Sequence, residues 1–242
     1  MNQAKRKAAA AAGFCLLFVL IGLVMLVTVY SIAGDRNLLA AEMRRYSPPS
    51  YSRLPDEQYP GMGQMIADYL TGRRDAFQYY FTDADGNTVA CFSPHEESHM
   101  EDCRQLISLA GKVRWILGGA AVILLVTGFI LRKYRKSFSA GMMAGFGLSA
   151  MFCLGSLVWG LISFDSLFTV FHRLLFTNDG WLLDSRTDML IRLMPTSFFI
   201  SLGVRILLIA AFAALVCFAA AIVIRRTAKG KEETQGEPDN GK

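Results

Sequence analysis

The chain has 242 residues, of which 53% are apolar and 19% charged, and its formal net charge is +5. A soluble domain carries about 25% charge, so a largely disordered chain is excluded and a soluble globular enzyme is disfavoured. The apolar residues form long runs, and the surplus of Lys and Arg therefore reads as membrane topology, not as a nucleic-acid footprint.

In chain order, residues 1–7 form a short basic N-terminus with Lys5, Arg6 and Lys7. Residues 8–34 carry no charge until Asp35, and predict a first transmembrane helix, since crossing takes roughly 17–25 apolar residues. This run is longer than a signal-peptide core and lacks a small-residue cleavage site, so it reads as an uncleaved signal anchor. Residues 35–112 form a large loop domain. A second span is expected over 113–131 and a basic loop, with Arg132, Lys133, Arg135 and Lys136, over 132–137. A third span follows over 138–164, where Gly141, Gly145, Gly147 and Gly155 predict close helix packing. Residues 165–197 form a smaller loop. The fourth span is 198–224, with Arg205 snorkelling near its outer end. Residues 225–242 begin Arg225-Arg226, end in polar sequence, and are expected to be a disordered tail.

The fold class is thus an all-α membrane protein with four transmembrane helices and a small extracytoplasmic α+β loop domain. Basic residues cluster before the first span, between the second and third, and after the fourth. That places both termini in the cytoplasm and both larger loops outside. The spans hold no Asp, Glu, Lys or His at mid-depth, which disfavours transport. The chemistry then belongs to the loops.

In the large loop, Pro48-Pro49 and Pro55 mark irregular chain and Met62–Leu70 has helical spacing. Two β-prone runs, 77–81 and 88–92, flank Asp83-Ala84-Asp85-Gly86-Asn87 and predict a hairpin. A calcium loop would need Glu at its twelfth position, where Pro94 stands, so the Asp-rich run reads as a turn. Ser93, Pro94 and Glu96 make a capping-box start for a helix. That helix runs toward the second span, with Gly111 as a possible break. In the small loop, Phe164, Phe168, Phe171 and Leu175 share one face of an amphipathic interfacial helix, and Asp165, His172 and Phe176 mark another. Asn178-Asp179-Gly180 forms a turn before Trp181, Asp184 and Asp188, and Pro195 introduces the last span.

All three histidines, His95, His99 and His172, lie in these loops. Three chemistries fit them. His95-Glu96-Glu97-Ser98-His99 matches the H-E-x-x-H pattern of zinc peptidases, though its flanks are polar and a third ligand would have to come from His172 or a carboxylate. Cys103 lies one turn after His99 and could act as a nucleophile, pair with Cys91 in a disulfide, or stay an idle thiol. His99 and His172 could instead share general acid–base work. A scaffold or sensor with no chemistry is the non-enzyme alternative.

At these residues the chain resembles the lipoprotein intramolecular transacylase (Lit) family of bacterial four-span membrane proteins. One patch is Glu97-Ser98-His99-Met100-Glu101-Asp102. The other is the long segment FHRLLFTNDGWLLDSRTDMLIRLMP, Phe171 to Pro195, and YLTGRRD from Tyr69 to Asp75 is a weaker third. The sequence departs from the pattern at Cys103, Arg104 and Ser185, and His95 is not part of it.

The resemblance implies O-to-N transfer of the sn-2 acyl chain of a diacylglyceryl lipoprotein to its own N-terminal cysteine amine, giving the lyso-form. It implies no cofactor, metal or nucleotide. The partners are diacylglyceryl-modified lipoprotein N-termini and membrane lipid, at a site on the outer side of the bacterial cytoplasmic membrane. His99 and His172 would be catalytic. Glu97, Asp102, Asn178, Asp179, Trp181, Asp184, Asp188 and Arg205 would orient them or bind substrate.

Overall fold

The computed structural model describes residues 2–82 and 86–233, with side chains described through residue 228. It contains α1 (Asn2–Gly34), α2 (Arg36–Tyr46), α3 (Pro49–Ser52), α4 (Tyr59–Leu70), β1 (Tyr80–Thr82), β2 (Thr88–Ala90), α5 (Pro94–Ile130), α6 (Arg135–Ile162), α7 (Phe164–Leu175), α8 (Met189–Leu193) and α9 (Thr196–Glu233). Among the described residues, four helical stretches are long and apolar enough to cross a membrane: Asn2–Gly34, Pro94–Ile130, Arg132–Ile162 and Thr196–Ala228.

The helix ends differ from the charge-free runs. Helix formation needs only backbone hydrogen bonds, so a helix continues past the lipid-compatible segment wherever nothing stops it. Helix α9 accordingly runs through Glu233, into the segment expected to be a disordered tail, and residues 234–242 lie outside the described residues. Likewise α5 passes unbroken through Gly111, because one glycine costs a long helix only about 1 kcal/mol. A Cβ there would lie 3.1 Å from the Tyr30 ring, so the missing side chain admits α1.

The chain divides into two compact units. The first comprises the N-terminal part of α1, the C-terminal part of α5, most of α6 and α9 from Leu207. Its core holds Leu16, Leu17, Ile21, Phe138 and Met142. A Cβ on Gly141 would sit 1.9 Å from the Ala10 carbonyl oxygen and one on Gly13 2.0 Å from that of Phe138, so α1 and α6 touch backbone to backbone. Ser139 adds a hydrogen bond to the Ala221 carbonyl at 2.9 Å. Gly145 also faces α1, whereas Gly147 and Gly155 face open space and make no close helix contact. Large apolar side chains such as Ile123, Phe129 and Phe212 point outward, as a lipid-facing surface requires.

The second unit contains residues 26–113 and 156–206. Asp35 caps α2, accepting hydrogen bonds from the amides of Asn37 and Leu38. Helices α2 and α4 cross at Gly63, where a Cβ would lie 2.5 Å from the Arg36 carbonyl oxygen. Their buried faces, with Leu39, Met43, Met62, Met65 and Ile66, form a core with Phe77, Phe92, Leu193 and Phe198. The irregular segment marked by prolines is tied inward by Tyr59. Its hydroxyl donates to the Ser47 carbonyl and lies 2.7 Å from the Ser52 hydroxyl. Ser47 itself donates to the Arg192 carbonyl at 2.5 Å, joining α2 to α8.

Strands β1 and β2 pair antiparallel with Phe81 opposite Val89. They are shorter than the expected runs, so the β content of this unit, among the described residues, is one small hairpin. Residues 83–85 of the expected Asp-rich turn lie outside the described residues, and Gly86 has a φ of +85°. The capping box is formed: the Ser93 amide donates to Glu96 at 2.7 Å and the Glu96 amide to the Ser93 hydroxyl at 3.3 Å.

Candidate functional site

Within the second unit, α1, α2, α4, α5, α7, α8 and α9 line an open cavity of about 420 Å³. Its walls are almost wholly apolar, with Leu39, Ile66, Phe168, Trp181, Leu190 and Phe198 among them. Two imidazoles and one thiol interrupt this lining: His99 and Cys103 from α5, and His172 from α7. A pocket mostly apolar, with few convergent polar groups, is the usual form of a site for a lipophilic substrate.

His172 is 7% exposed. Its Nδ1 lies 2.7 Å from the Phe168 carbonyl oxygen. A carbonyl only accepts, so Nδ1 carries the proton and Nε2 keeps a free lone pair. The ring is held by Phe168 at 3.9 Å and Trp181 at 5.0 Å between centroids. Burial pushes the His172 pKa below the ordinary histidine value, and the Phe168 carbonyl opposes that only in part. The ring is therefore neutral near pH 7 and available as a base. The expected separation of His172 from the phenylalanine face does not hold. Phe164, Phe168 and His172 recur at four-residue spacing, and all three line the cavity with Phe171 and Phe176.

His99 is 8% exposed, and its ring centroid lies 6.2 Å from that of His172. Phe176 packs edge-on against it at 5.4 Å. Its Nε2 is 3.6 Å from the Cys103 sulfur, and its buried Nδ1 has no hydrogen-bond partner among the described residues. An imidazole nitrogen left unpaired in an apolar wall is costly, and a substrate polar group would satisfy it. Cys91 and Cys103 are both free thiols.

The H-E-x-x-H match does not assemble a metal site. His95 is exposed while His99 is buried, so the two do not converge. Glu96 is committed to the helix cap and to the Leu190 amide at 2.6 Å. Among the described residues, no three His, Cys, Asp or Glu side chains are grouped so as to hold a metal ion.

The carboxylates expected to orient an imidazole have other partners. Glu97 accepts from Gln78 at 2.7 Å and so anchors the chain before β1. Asp102 accepts from Asn178 at 2.8 Å, and Asn178 in turn accepts from the Gly180 amide, holding the turn before Trp181. Asp179 is exposed, and its backbone carbonyl accepts from Leu182. The hydrogen bonds of Arg186 hold the Asp184 carboxyl down to about 2. Asp188 accepts from the Asp184 amide at 2.8 Å. Arg205 pairs with buried Glu42 at 3.2 Å, and Glu42 also accepts from Ser201 at 2.7 Å. Only Trp181 of this set touches a histidine ring. Asp102, Asp184 and Asp188 instead hold the loop between α7 and α8, and a backbone carbonyl orients His172. Side-chain type gives the chemistry a residue can do, but the choice among partners depends on which loop folds over which helix.

The Tyr69–Asp75 segment docks on α5. Tyr69 donates to Glu101 at 2.7 Å, Arg104 lies 5.0 Å above its ring, and Arg104 reaches Asp75 at 3.3 Å. Burial and the Glu101 carboxylate push the Tyr69 phenol up to about 12. Sequence reasoning missed Glu42, the second contact of Glu96 and the Phe168 carbonyl. Glu42 had a visible signal, a carboxylate among Leu39, Ala40 and Met43 on one helical face.

The profile of the family described as "Lipoprotein intramolecular transacylase Lit" matches residues 11–199. Comparison with curated proteins finds no match. Among solved structures, the membrane integral lipoprotein intramolecular transacylase Lit from Bacillus cereus is similar, with a TM-score of 0.71 at 20% identity over 95% of this chain and 99% of that one. Two forms of the same protein with single histidine substitutions match at 0.66, again at 20% identity, over 95% and 94% of this chain and 96% of each of theirs.

Proposed function

Because the chain belongs to the lipoprotein intramolecular transacylase family and is an acyltransferase, we propose that it moves the sn-2 acyl chain of a diacylglyceryl lipoprotein from the glycerol oxygen to the α-amine of the same N-terminal cysteine. The observation that carries this reading is the pair of buried imidazoles, 6.2 Å apart, in one apolar cavity. Such a cavity suits acyl chains, and two imidazoles supply the base and acid that ester aminolysis needs.

The amine nitrogen attacks the ester carbonyl and a C–N bond forms. A tetrahedral oxyanion develops, the C–O bond to glycerol breaks, and the glycerol oxygen takes a proton. His172, neutral with a free Nε2, takes the proton from the amine, and His99 relays that same proton to the departing glycerol oxygen, so both imidazoles end neutral as they began. Taking a proton from an α-ammonium of pKa near 7.7 costs an ordinary histidine about 1.6 kcal/mol. Burial of His172 raises that cost, so part of the rate must come from holding both reacting groups in one substrate. Trp181 and the phenylalanines grip the acyl chain. Ester and amine belong to one molecule, so no acyl donor, nucleotide or cofactor enters. We place both termini in the cytoplasm and the cavity on the outer side, on the strength of the basic residues flanking the spans.

The test expresses the protein in a bacterium lacking lipoprotein N-acylation and fragments a reporter lipoprotein's N-terminal peptide by mass spectrometry. One chain on the cysteine amine and one on glycerol is the expected product. A free amine with both chains on glycerol, from membrane-inserted protein, overturns the proposal.

A further inference from the structure

Helix α5 presents Glu96, His99 and Asp102 at three-residue spacing, on one side of the helix. Asp102 reaches the chain between α7 and α8, and Glu96 reaches α8 itself. Asp102 accepts from Asn178 at 2.8 Å, and Glu96 accepts from the Leu190 amide at 2.6 Å. Between those two points the chain carries Trp181, which packs on His172 at 5.0 Å. The attachments therefore bracket His99, about 9 Å apart along the helix axis.

Capping accounts for only one oxygen of Glu96, the one facing the Ser93 amide at 2.7 Å. The other oxygen is spent on Leu190, which lines the cavity, and the whole side chain is 1% exposed. With both oxygens engaged the carboxylate cannot rotate away.

We propose that Glu96 is a positioning residue, the second half of a two-point clasp that holds the Trp181 loop and α8 across His99. This rests on the reading of His99 and His172 as the reacting pair. Glu96 touches neither ring and acts through the loop it fixes.

The test uses Glu96→Gln, which keeps the volume but turns one acceptor into a donor facing a backbone N–H. In a background with Trp115→Phe and Trp159→Phe, Trp181 is the sole indole, since the chain has three Trp. Acrylamide quenching then reports on the loop, and turnover of a diacylglyceryl lipopeptide gives kcat and KM. We expect at least a twofold rise in quenching and a tenfold fall in kcat, with KM and the position of the pH profile unmoved. Parent-like quenching in folded Glu96→Gln overturns the clasp, and loosened quenching with parent kcat overturns the positioning role. If Glu96→Gln does not fold, Glu96→Asp is read the same way; failure of both makes Glu96 a folding residue and overturns the proposal. A parent protein that does not turn over lipopeptide refutes the acyl-transfer reading instead, and quenching still decides the clasp.

Discussion

Replacing the two histidines, singly and together, probes the site most directly. A reacting atom served by both rings must lie about 3 Å from a nitrogen of each, and centroids 6.2 Å apart allow that. General acid–base groups contribute typically 10²–10⁴-fold. His99→Ala and His172→Ala should therefore each slow O-to-N transfer by 10²–10⁴, about 3–5 kcal/mol of barrier. Groups that act as a unit are not additive, so the double variant should be little slower than the worse single one. The assay is the initial rate of conversion of a synthetic diacylglyceryl lipopeptide in detergent, followed by mass spectrometry, with membrane accumulation and Tm as controls. A single variant within threefold of the parent would refute the paired mechanism. So would a double variant whose loss equals the product of the two single losses, because independent groups would then be acting.

Other outcomes follow from neighbouring features. Burial lowers the His172 pKa, so below the ordinary histidine range the unfolded chain binds a proton that the folded one excludes. Stability therefore falls as pH drops from that range toward the folded-state value, and Tm between pH 7.5 and 5 should decrease; a flat Tm would contradict the buried neutral ring. Activity should also rise with pH through 7–8, as the substrate amine loses its proton. Gly63→Ala would place a Cβ 2.5 Å from the Arg36 carbonyl oxygen, and should destabilise by about 1–3 kcal/mol, read as a lower Tm. Arg205→Ala leaves buried Glu42 with Ser201 as its remaining partner. Because Arg205 is half exposed, the loss should be nearer 1 kcal/mol than the roughly 3–5 of a fully buried pair; Glu42→Gln should largely rescue it. Leu106→Trp narrows the cavity and should slow substrates with long acyl chains more than those with short ones, in parallel assays.

Much of the site was legible as residue types. His99 and His172 stood out because histidine is the side chain that titrates near neutrality, and the structure brings both into one cavity. The capping box over Ser93 and Glu96 was also readable, since it depends on residues three apart. The hydrogen-bond partners of the carboxylates were not legible. Glu97 and Asp102 sit within a turn of His99, yet each is claimed by a residue distant in sequence, Gln78 and Asn178. The phenylalanine stripe on α7 was visible, but the place of His172 among those rings was not.

The sequence by itself determined the number and order of the spans and the helical periodicity of their flanks. Those depend on local composition and on backbone bonds that close within four residues. Only the tertiary structure decided which face of α7 turns inward, that Glu42 is buried beneath Arg205, and that Glu96 reaches Leu190. Each of these is a choice between water, lipid and a protein partner. A buried polar group finds its partner only once helices far apart in sequence have packed together.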